Sequence, residues 1–320
     1  MTLLINLGLF ALSCVILLAS GSFFISALTK ITSFLKMNKF VVSFIIVGIA
    51  TSLPEFFVGI SSALAKQTSI SLGNVIGSNI ANLTIILGLP ILLARGIKIN
   101  SKTIKKESLY MFFIALLPLV LMFIGKSLSR IDGLILVIVF ITYCIWLIKQ
   151  RKNFPKQEED KVGRWEIILQ TFLFIISVVV LQFSAKYTVK YASLLSIDLA
   201  LPQIFIGLFL IALGTSLPEL VVGFHAVKKK EEDIVLGNIM GSVVANSTLV
   251  LGVTAIIFPI TTNLLIFFTS IGFMILATFL FTTFVESGNK LGVKEGIAMI
   301  LLYMFFIMIE LYIKNIPNII

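Results

Sequence analysis

Apolar runs of about 20 residues, the length of helix that crosses a hydrocarbon layer ~30 Å thick, recur from one end of this chain to the other. Read between charged and Pro/Gly breaks, they predict ten spans near 3–28, 40–65, 71–94, 107–125, 131–149, 165–185, 201–227, 234–258, 263–285 and 292–313. The chain is 58% hydrophobic and only 12% charged, with a mean hydropathy of +1.11. A soluble domain carries roughly twice that charged fraction, so the expected solvent is lipid and the expected class an all-α membrane protein. The first run has neither a basic leader nor a small-residue cleavage site, and is read as a retained helix rather than a signal peptide.

A net charge of +10 could point to nucleic acid, but its distribution points elsewhere. With the N-terminus outside, 19 of the 25 basic residues fall in cytoplasmic connections, among them Lys36, Lys39, Arg95, Lys98, Lys105, Lys152 and Lys228. That bias is the positive-inside signature. It predicts a multi-pass protein of the cell membrane with both termini outside and no nucleic-acid partner; no obligate protein partner is implied. Cys14 and Cys144 fall inside apolar spans and read as buried, inert thiols. His225 stands alone, so no His/Cys set for zinc or copper can be assembled.

Residues 48–89 and 212–253 align without a gap at a constant offset of 164, and 19 of these 42 positions are identical. The first block contains GIATSLPEFFVG and GNVIGSNIANLTIILG; the second contains ALGTSLPELVVG and GNIMGSVVANSTLVLG. Hydrophobic bias alone would not align T-S-L-P-E, G-N, G-S and A-N in register. Five predicted crossings separate span two from its counterpart, span seven. An odd number reverses direction, so the repeats are expected to be inverted, with discontinuous helices two and seven and a site near the membrane midplane. The division follows: 1–150 a first five-helix repeat, 151–164 a hydrophilic cytoplasmic linker, and 165–320 the second repeat.

Of fifteen acidic residues, only Glu55 and Glu219 are expected mid-span, and they are repeat equivalents. Glu310 is expected near the outer end of span ten, within reach of the interface. A charge at the bilayer centre costs at least ~2.5–3.5 kcal/mol, which makes both mid-span glutamates functional candidates. Each follows a proline, Pro54 or Pro218, which removes a helix hydrogen bond and frees carbonyls a turn upstream, around Thr51 and Thr215. Ser78 and Asn82, like Ser242 and Asn246, share a helix face, while Gly73, Gly77, Gly88, Gly237, Gly241 and Gly252 allow close helix approach. Carboxylate, hydroxyl and carbonyl oxygens are hard donors suited to Na⁺ and Ca²⁺. Two ionised glutamates would neutralise one Ca²⁺, and competition by Na⁺ for the same oxygens would make transport an exchange. Nothing supplies the H-E-x-x-H of a metalloprotease, so an enzyme is not expected; a passive channel would not need paired inverted half-sites.

The two blocks resemble the α-repeats of the cation/Ca²⁺ exchanger superfamily, in particular its Na⁺/Ca²⁺ exchanger branch, most specifically in T-S-L-P-E and G-N-x-x-G-S-x-x-x-N. The resemblance implies alternating access, with helices one and six sliding across a core of helices two, three, seven and eight. Transported Na⁺ and Ca²⁺ are then the substrates, electrogenically coupled, with no cofactor. By position, Glu55 and Glu219 would be Ca²⁺ ligands, helped by the carbonyls of Thr51 and Thr215. One Na⁺ site would use Glu55, Ser78, Thr215, Ser216 and the Ala212 carbonyl; its counterpart would use Glu219, Ser242, Thr51, Ser52 and the Gly48 carbonyl. Asn82 and Asn246 would border the centre. Asparagine at both central positions resembles the K⁺-independent exchangers, whereas many prokaryotic relatives carry Asp at the position of Asn246. Ala50 stands where Gly usually precedes Thr-Ser. Proton-coupled relatives usually have an acidic residue where this chain has Ser78 and Ser242, which ranks Ca²⁺/H⁺ antiport second.

Overall fold

The apolar runs form helices because hydrocarbon offers the backbone no partner other than itself. In this computed structural model, which describes residues 2–33, 42–99, 102–149, 164–199, 206–228, 230–261 and 264–314, the helices are α1 Thr2–Ser33, α2 42–51, α3 Leu53–Leu64, α4 Thr68–Ala94, α5 Lys102–Gly125, α6 Arg130–Lys149, α7 Arg164–Asp198, α8 206–215, α9 Leu217–Lys228, α10 Glu232–Ile257, α11 Leu264–Ser287 and α12 Val293–Lys314. Seven of these runs are long and apolar enough to cross a membrane by themselves, with α8 and α9 counted as one run; α2 and α3 qualify together, bent by 49°. Most of the linker expected over 151–164, Lys36, Lys39 and the side chain of His225 lie outside the described residues.

Burial sorts the helices into layers. The most apolar windows of α4 and α10 are 83% buried, against 28% for those of α5, α6 and α12. The repeat-bearing helices α4 and α10 are therefore central, and the outer helices turn Phe113, Phe123, Ile138, Phe279 and Leu301 toward the surroundings. The long α1 and α7 pack against each other along one side. A small apolar cluster, with Phe10, Leu17, Ala185 and Val189 on one side and Val58, Ile70, Ile206 and Ile211 on the other, joins them to the centre. It is distinct from the main core.

Two features were not foreseen. Four π-helical turns, Val42–Val47, Asn82–Ile86, Ile206–Ile211 and Asn246–Val250, fall at repeat-equivalent places, the second pair beginning at Asn82 and Asn246. Such turns shift helix register and recur at functional sites. The second feature is a pair of two-residue antiparallel ladders in an otherwise helical chain. β1 (Ile97–Lys98) pairs with β4 (Lys290–Leu291), and β2 (Ser127–Leu128) pairs with β3 (Ile260–Thr261). β1 and β2 flank α5, whose 24 residues span about 36 Å. The two ladders thus sit at opposite ends of the molecule.

Where the repeat helices cross, only glycine fits. A Cβ on Gly77 would lie 2.2 Å from the Leu208 carbonyl oxygen, and one on Gly241 would lie 2.0 Å from that of Phe44. These two crossings, α4 on α8 and α10 on α2, are related by the offset of 164.

Three expectations are corrected. Glu310 does not reach the interface: it is 1% exposed, and Oε1 accepts from Thr269 Oγ1 at 2.8 Å and Ser270 Oγ at 2.6 Å. Glu107 is also buried, bonded by the Tyr143 hydroxyl, because α5 begins five residues before the expected 107 and draws it inside. Cys14 and Cys144 are free thiols as expected, but only half-buried.

Candidate ion-binding site

The site is built where α2 gives way to α3 and α8 to α9. Pro54 and Pro218 stand in the first turn of the following helix, where a missing N–H costs nothing. The preceding residue, Ser52 or Ser216, leaves helical geometry at φ −82°, ψ 4° and φ −85°, ψ 1° respectively. The break at Ser52 accompanies the 49° bend, whereas Ile206–Lys228 runs on as one span despite the break at Ser216. Glu55 and Glu219 follow at once, both 0% exposed.

All twelve residues singled out from the sequence are buried: Glu55, Glu219, Thr51, Thr215, Ser52, Ser216, Ser78, Ser242, Asn82, Asn246, Gly48 and Ala212. Seven of them, Gly48, Thr51, Glu55, Ser78, Ala212, Thr215 and Ser242, are joined by hydrogen-bond contacts, most of them between the repeats; the side chains of Ser52, Ser216 and Asn82 make none. Ser78 Oγ, on α4, lies 3.3 Å from Glu55 Oε1, 3.4 Å from the Ala212 carbonyl oxygen and 3.4 Å from Thr215 Oγ1. Its counterpart Ser242 Oγ, on α10, lies 3.3 Å from the Gly48 carbonyl oxygen and 2.9 Å from Thr51 Oγ1. Glu219 faces Ser242 and Thr51 without a hydrogen bond of normal geometry to either oxygen. Each half-site thus takes its carboxylate and serine from one repeat and its threonine and carbonyl from the other.

The hydrogen-bond inventory defines what this cluster can do. Glu55 Oε2, both carboxylate oxygens of Glu219, Asn246 Oδ1, both amide atoms of Asn82 and the hydroxyls of Ser52 and Ser216 are buried with no partner. No lysine or arginine among the described residues bonds to either carboxylate. Two buried carboxylates without a counter-charge are unfavourable on their own, and removing the negative charge or adding a cation relieves the penalty. Hydroxyl oxygens can turn their hydrogens away from a cation and present lone pairs, and carbonyl oxygens have a second lone pair to give. No group of three or more His, Cys, Asp or Glu side chains that could hold a metal ion occurs among the described residues. The donor set is hard oxygen, suited to alkali and alkaline-earth ions.

The comparisons with known proteins agree with this chemistry. The sequence profile described as "Sodium/calcium exchanger protein" matches residues 5–149 and 169–312. The chain belongs to the sodium/calcium exchanger family. It is a multi-pass membrane ion exchanger, not an enzyme. The sodium/calcium exchanger MaX1 of Methanosarcina acetivorans is 26% identical over 348 aligned residues, covering 97% of this chain and 99% of its own. The inner membrane protein YrbG of Escherichia coli is 31% identical over 228 residues, 68% of this chain and 70% of its own. Among solved structures, the sodium-calcium exchanger NCX_Mj soaked with Na⁺ and Sr²⁺ superposes with a TM-score of 0.70 at 27% identity, covering 96% of this chain and 99% of that one.

Two residues of this family member escaped the sequence reading although their signal was present. Asn74 Oδ1 accepts from Thr215 Oγ1 at 3.2 Å, and Asn238 Oδ1 accepts from Thr51 Oγ1 at 3.0 Å. Both are the asparagine of the repeated G-N. They tether the two threonines that close the half-sites. A third, Asn79, lies between Asn246 and Ser247 and has no asparagine at its repeat position.

Proposed function

We propose that this exchanger moves Na⁺ against Ca²⁺ by alternating access, electrogenically and without K⁺. The observation that carries the reading is the set of unpartnered buried oxygens on Glu55 and Glu219, each beside a hydroxyl–carbonyl cradle supplied in part by the other repeat. Ca²⁺ takes six to eight oxygens at 2.3–2.6 Å, and two carboxylates match its charge. In this assignment Glu55 and Glu219 bind Ca²⁺ with the carbonyls of Thr51 and Thr215. One Na⁺ occupies Glu55, Ser78, Thr215, Ser216 and the Ala212 carbonyl, and another occupies Glu219, Ser242, Thr51, Ser52 and the Gly48 carbonyl. Asn82 and Asn246 border the centre. Hydroxyls at 78 and 242 supply Na⁺ ligands but no extra carboxylate, which favours Na⁺ over H⁺ as counter-ion.

Ten spans in two inverted five-helix repeats, 1–150 and 165–320 with 151–164 as linker, complete the proposal. Broken helices two and seven are α2–α3 and α8–α9. The ladders support the inversion: β1 and β3 lie within one residue of equivalent repeat positions but sit at opposite ends of the molecule, as do β2 and β4. The separate apolar cluster under α1 and α7 supports their sliding as a unit over the centre. The basic residues place the linker in the cytoplasm and both termini outside.

Reconstituted vesicles test the function. An outward Na⁺ gradient should drive ⁴⁵Ca²⁺ uptake and move net charge, worth ~2.3 kcal/mol per charge per 100 mV. Glu55→Gln and Glu219→Gln should each abolish it, and K⁺ should have no effect. Undiminished uptake in both variants would overturn the site. Uptake driven by a pH gradient in Na⁺-free buffer would replace Na⁺ by H⁺ as the coupling ion.

A further inference from the structure

The two repeats place asparagines at the centre, Asn82 and Asn246, but the structure treats them differently. Both begin π-helical turns. The turn carrying Asn82 packs against α9, the helix of Glu219, and the turn carrying Asn246 packs against α3, the helix of Glu55. Here the symmetry ends. Neither amide atom of Asn82 has a partner. Asn246 Nδ2 donates to Asn79 Oδ1 at 3.3 Å, and Asn79 Nδ2 donates to Ser247 Oγ at 2.9 Å. All three residues are 0% exposed. The repeat equivalents of Asn79 and Ser247 are Val243 and Leu83, which cannot form such a chain.

We infer that Asn79 is a positioning residue that locks the amide of Asn246 with its oxygen free for a cation, and so makes the two halves of the central site inequivalent. An amide side chain has one acceptor end and one donor end, and the hydrogen-bond network decides which end faces which way. In the structure Asn79 points Nδ2 at Ser247 Oγ and Oδ1 at Asn246 Nδ2. Asn246 thus turns its NH₂ group toward Asn79, which leaves Oδ1 buried and unpartnered. A fixed neutral oxygen next to the helix of Glu55 adds a ligand without adding charge. Asn82, with nothing holding it, can present either oxygen or NH₂ as the occupant changes. A pocket that must hold Na⁺ and Ca²⁺ in turn has one rigid amide and one adaptable amide.

This inference rests on the proposed site at Glu55 and Glu219, and the test separates the two. Asn79→Val installs the residue found at the equivalent position of the other repeat, and Ser247→Ala removes only the outer link. In vesicles, Asn79→Val should raise the half-saturating Ca²⁺ concentration about tenfold, as expected for one misoriented buried hydrogen-bonding group, with the maximal rate per folded protein within about twofold of wild type. Ser247→Ala should shift it in the same direction by less, and Ser247→Thr, which keeps the hydroxyl, should behave as wild type. In an Asn246→Ala background, Asn79→Val should add nothing further, because its effect passes through that amide. A shift that persists in full in that background, or no shift in both Asn79→Val and Ser247→Ala, overturns the assignment. Should Asn79→Val fail to fold by thermal melt, the Ser247 pair decides: equal half-saturation in Ser247→Ala and Ser247→Thr overturns it as well. Glu55→Gln and Glu219→Gln are measured alongside. Retained uptake there removes the site itself, whereas lost uptake with Asn79→Val and Ser247→Ala both unmoved removes only the role of Asn79.

Discussion

Adding one methyl group at Gly77 tests whether the close helix crossing and the ion site are one device. A Cβ there would sit 2.2 Å from the Leu208 carbonyl oxygen and 2.7 Å from the Ala212 Cβ. Carbon-to-oxygen contacts between backbones settle near 3.3–3.6 Å, so α4 and α8 must part by about 1 Å. Neither obstacle can rotate aside, since one is main chain and the other is a Cβ. Overpacking of this kind costs about 1–3 kcal/mol. The functional loss should be larger. Ser78 is the next residue, and its Oγ lies between Glu55 and the Ala212 carbonyl. A shift of about 1 Å exceeds the whole 2.3–2.6 Å range of Ca²⁺–oxygen distances and removes Ser78 from a shared shell. Gly77→Ala should therefore melt several degrees lower in detergent and lose nearly all Na⁺-driven ⁴⁵Ca²⁺ uptake. Gly241→Ala, its repeat equivalent facing Phe44, should do the same. Gly272→Ala, where a Cβ meets nothing within 4 Å, serves as the comparison and should retain both stability and uptake. If Gly77→Ala and Gly241→Ala match Gly272→Ala in melting and transport, the crossings are looser than described and the reasoning fails.

Two further expectations follow from the ends of the bundle and from its buried acids. In a background without Cys14 and Cys144, Lys98→Cys with Lys290→Cys should form a disulfide on mild oxidation, because these positions are paired across the β1–β4 ladder, whereas Lys98→Cys with Ser127→Cys, at opposite ends of α5, should not; gel mobility reports both, and crosslinking of the second pair would overturn the arrangement of the ladders. Glu310→Ala removes the acceptor for Thr269 and Ser270 and should lower the melting temperature, by an amount equivalent to about 1–2 kcal/mol, without moving the half-saturating Ca²⁺ concentration; a change in that concentration would place Glu310 on the ion path.

The amino-acid sequence by itself determined the solvent, the helical class and the two mid-span carboxylates. Those follow from local quantities. Apolar run length is compared with bilayer thickness, a mid-run charge has a fixed insertion cost, and T-S-L-P-E recurring at an offset of 164 cannot arise from hydrophobic bias. Comparing the halves even carried the signal for Asn74 and Asn238, since their asparagine is identical in both G-N pairs. What it could not supply is which repeat each of these side chains faces. That Thr51 meets Ser242, and Thr215 meets Ser78, depends on helices 137 or more residues apart crossing at Gly77 and Gly241. The burial of Glu107 and Glu310 depends in the same way on Tyr143, Thr269 and Ser270, side chains 36 to 41 residues away that no local pattern selects. Asn79 and Ser247 were hidden for a different reason: self-comparison highlights what the repeats share, and these two break the symmetry. Only the packed tertiary structure, by bringing them together beside Asn246, decided that Asn246 and Asn82 differ in their hydrogen bonding.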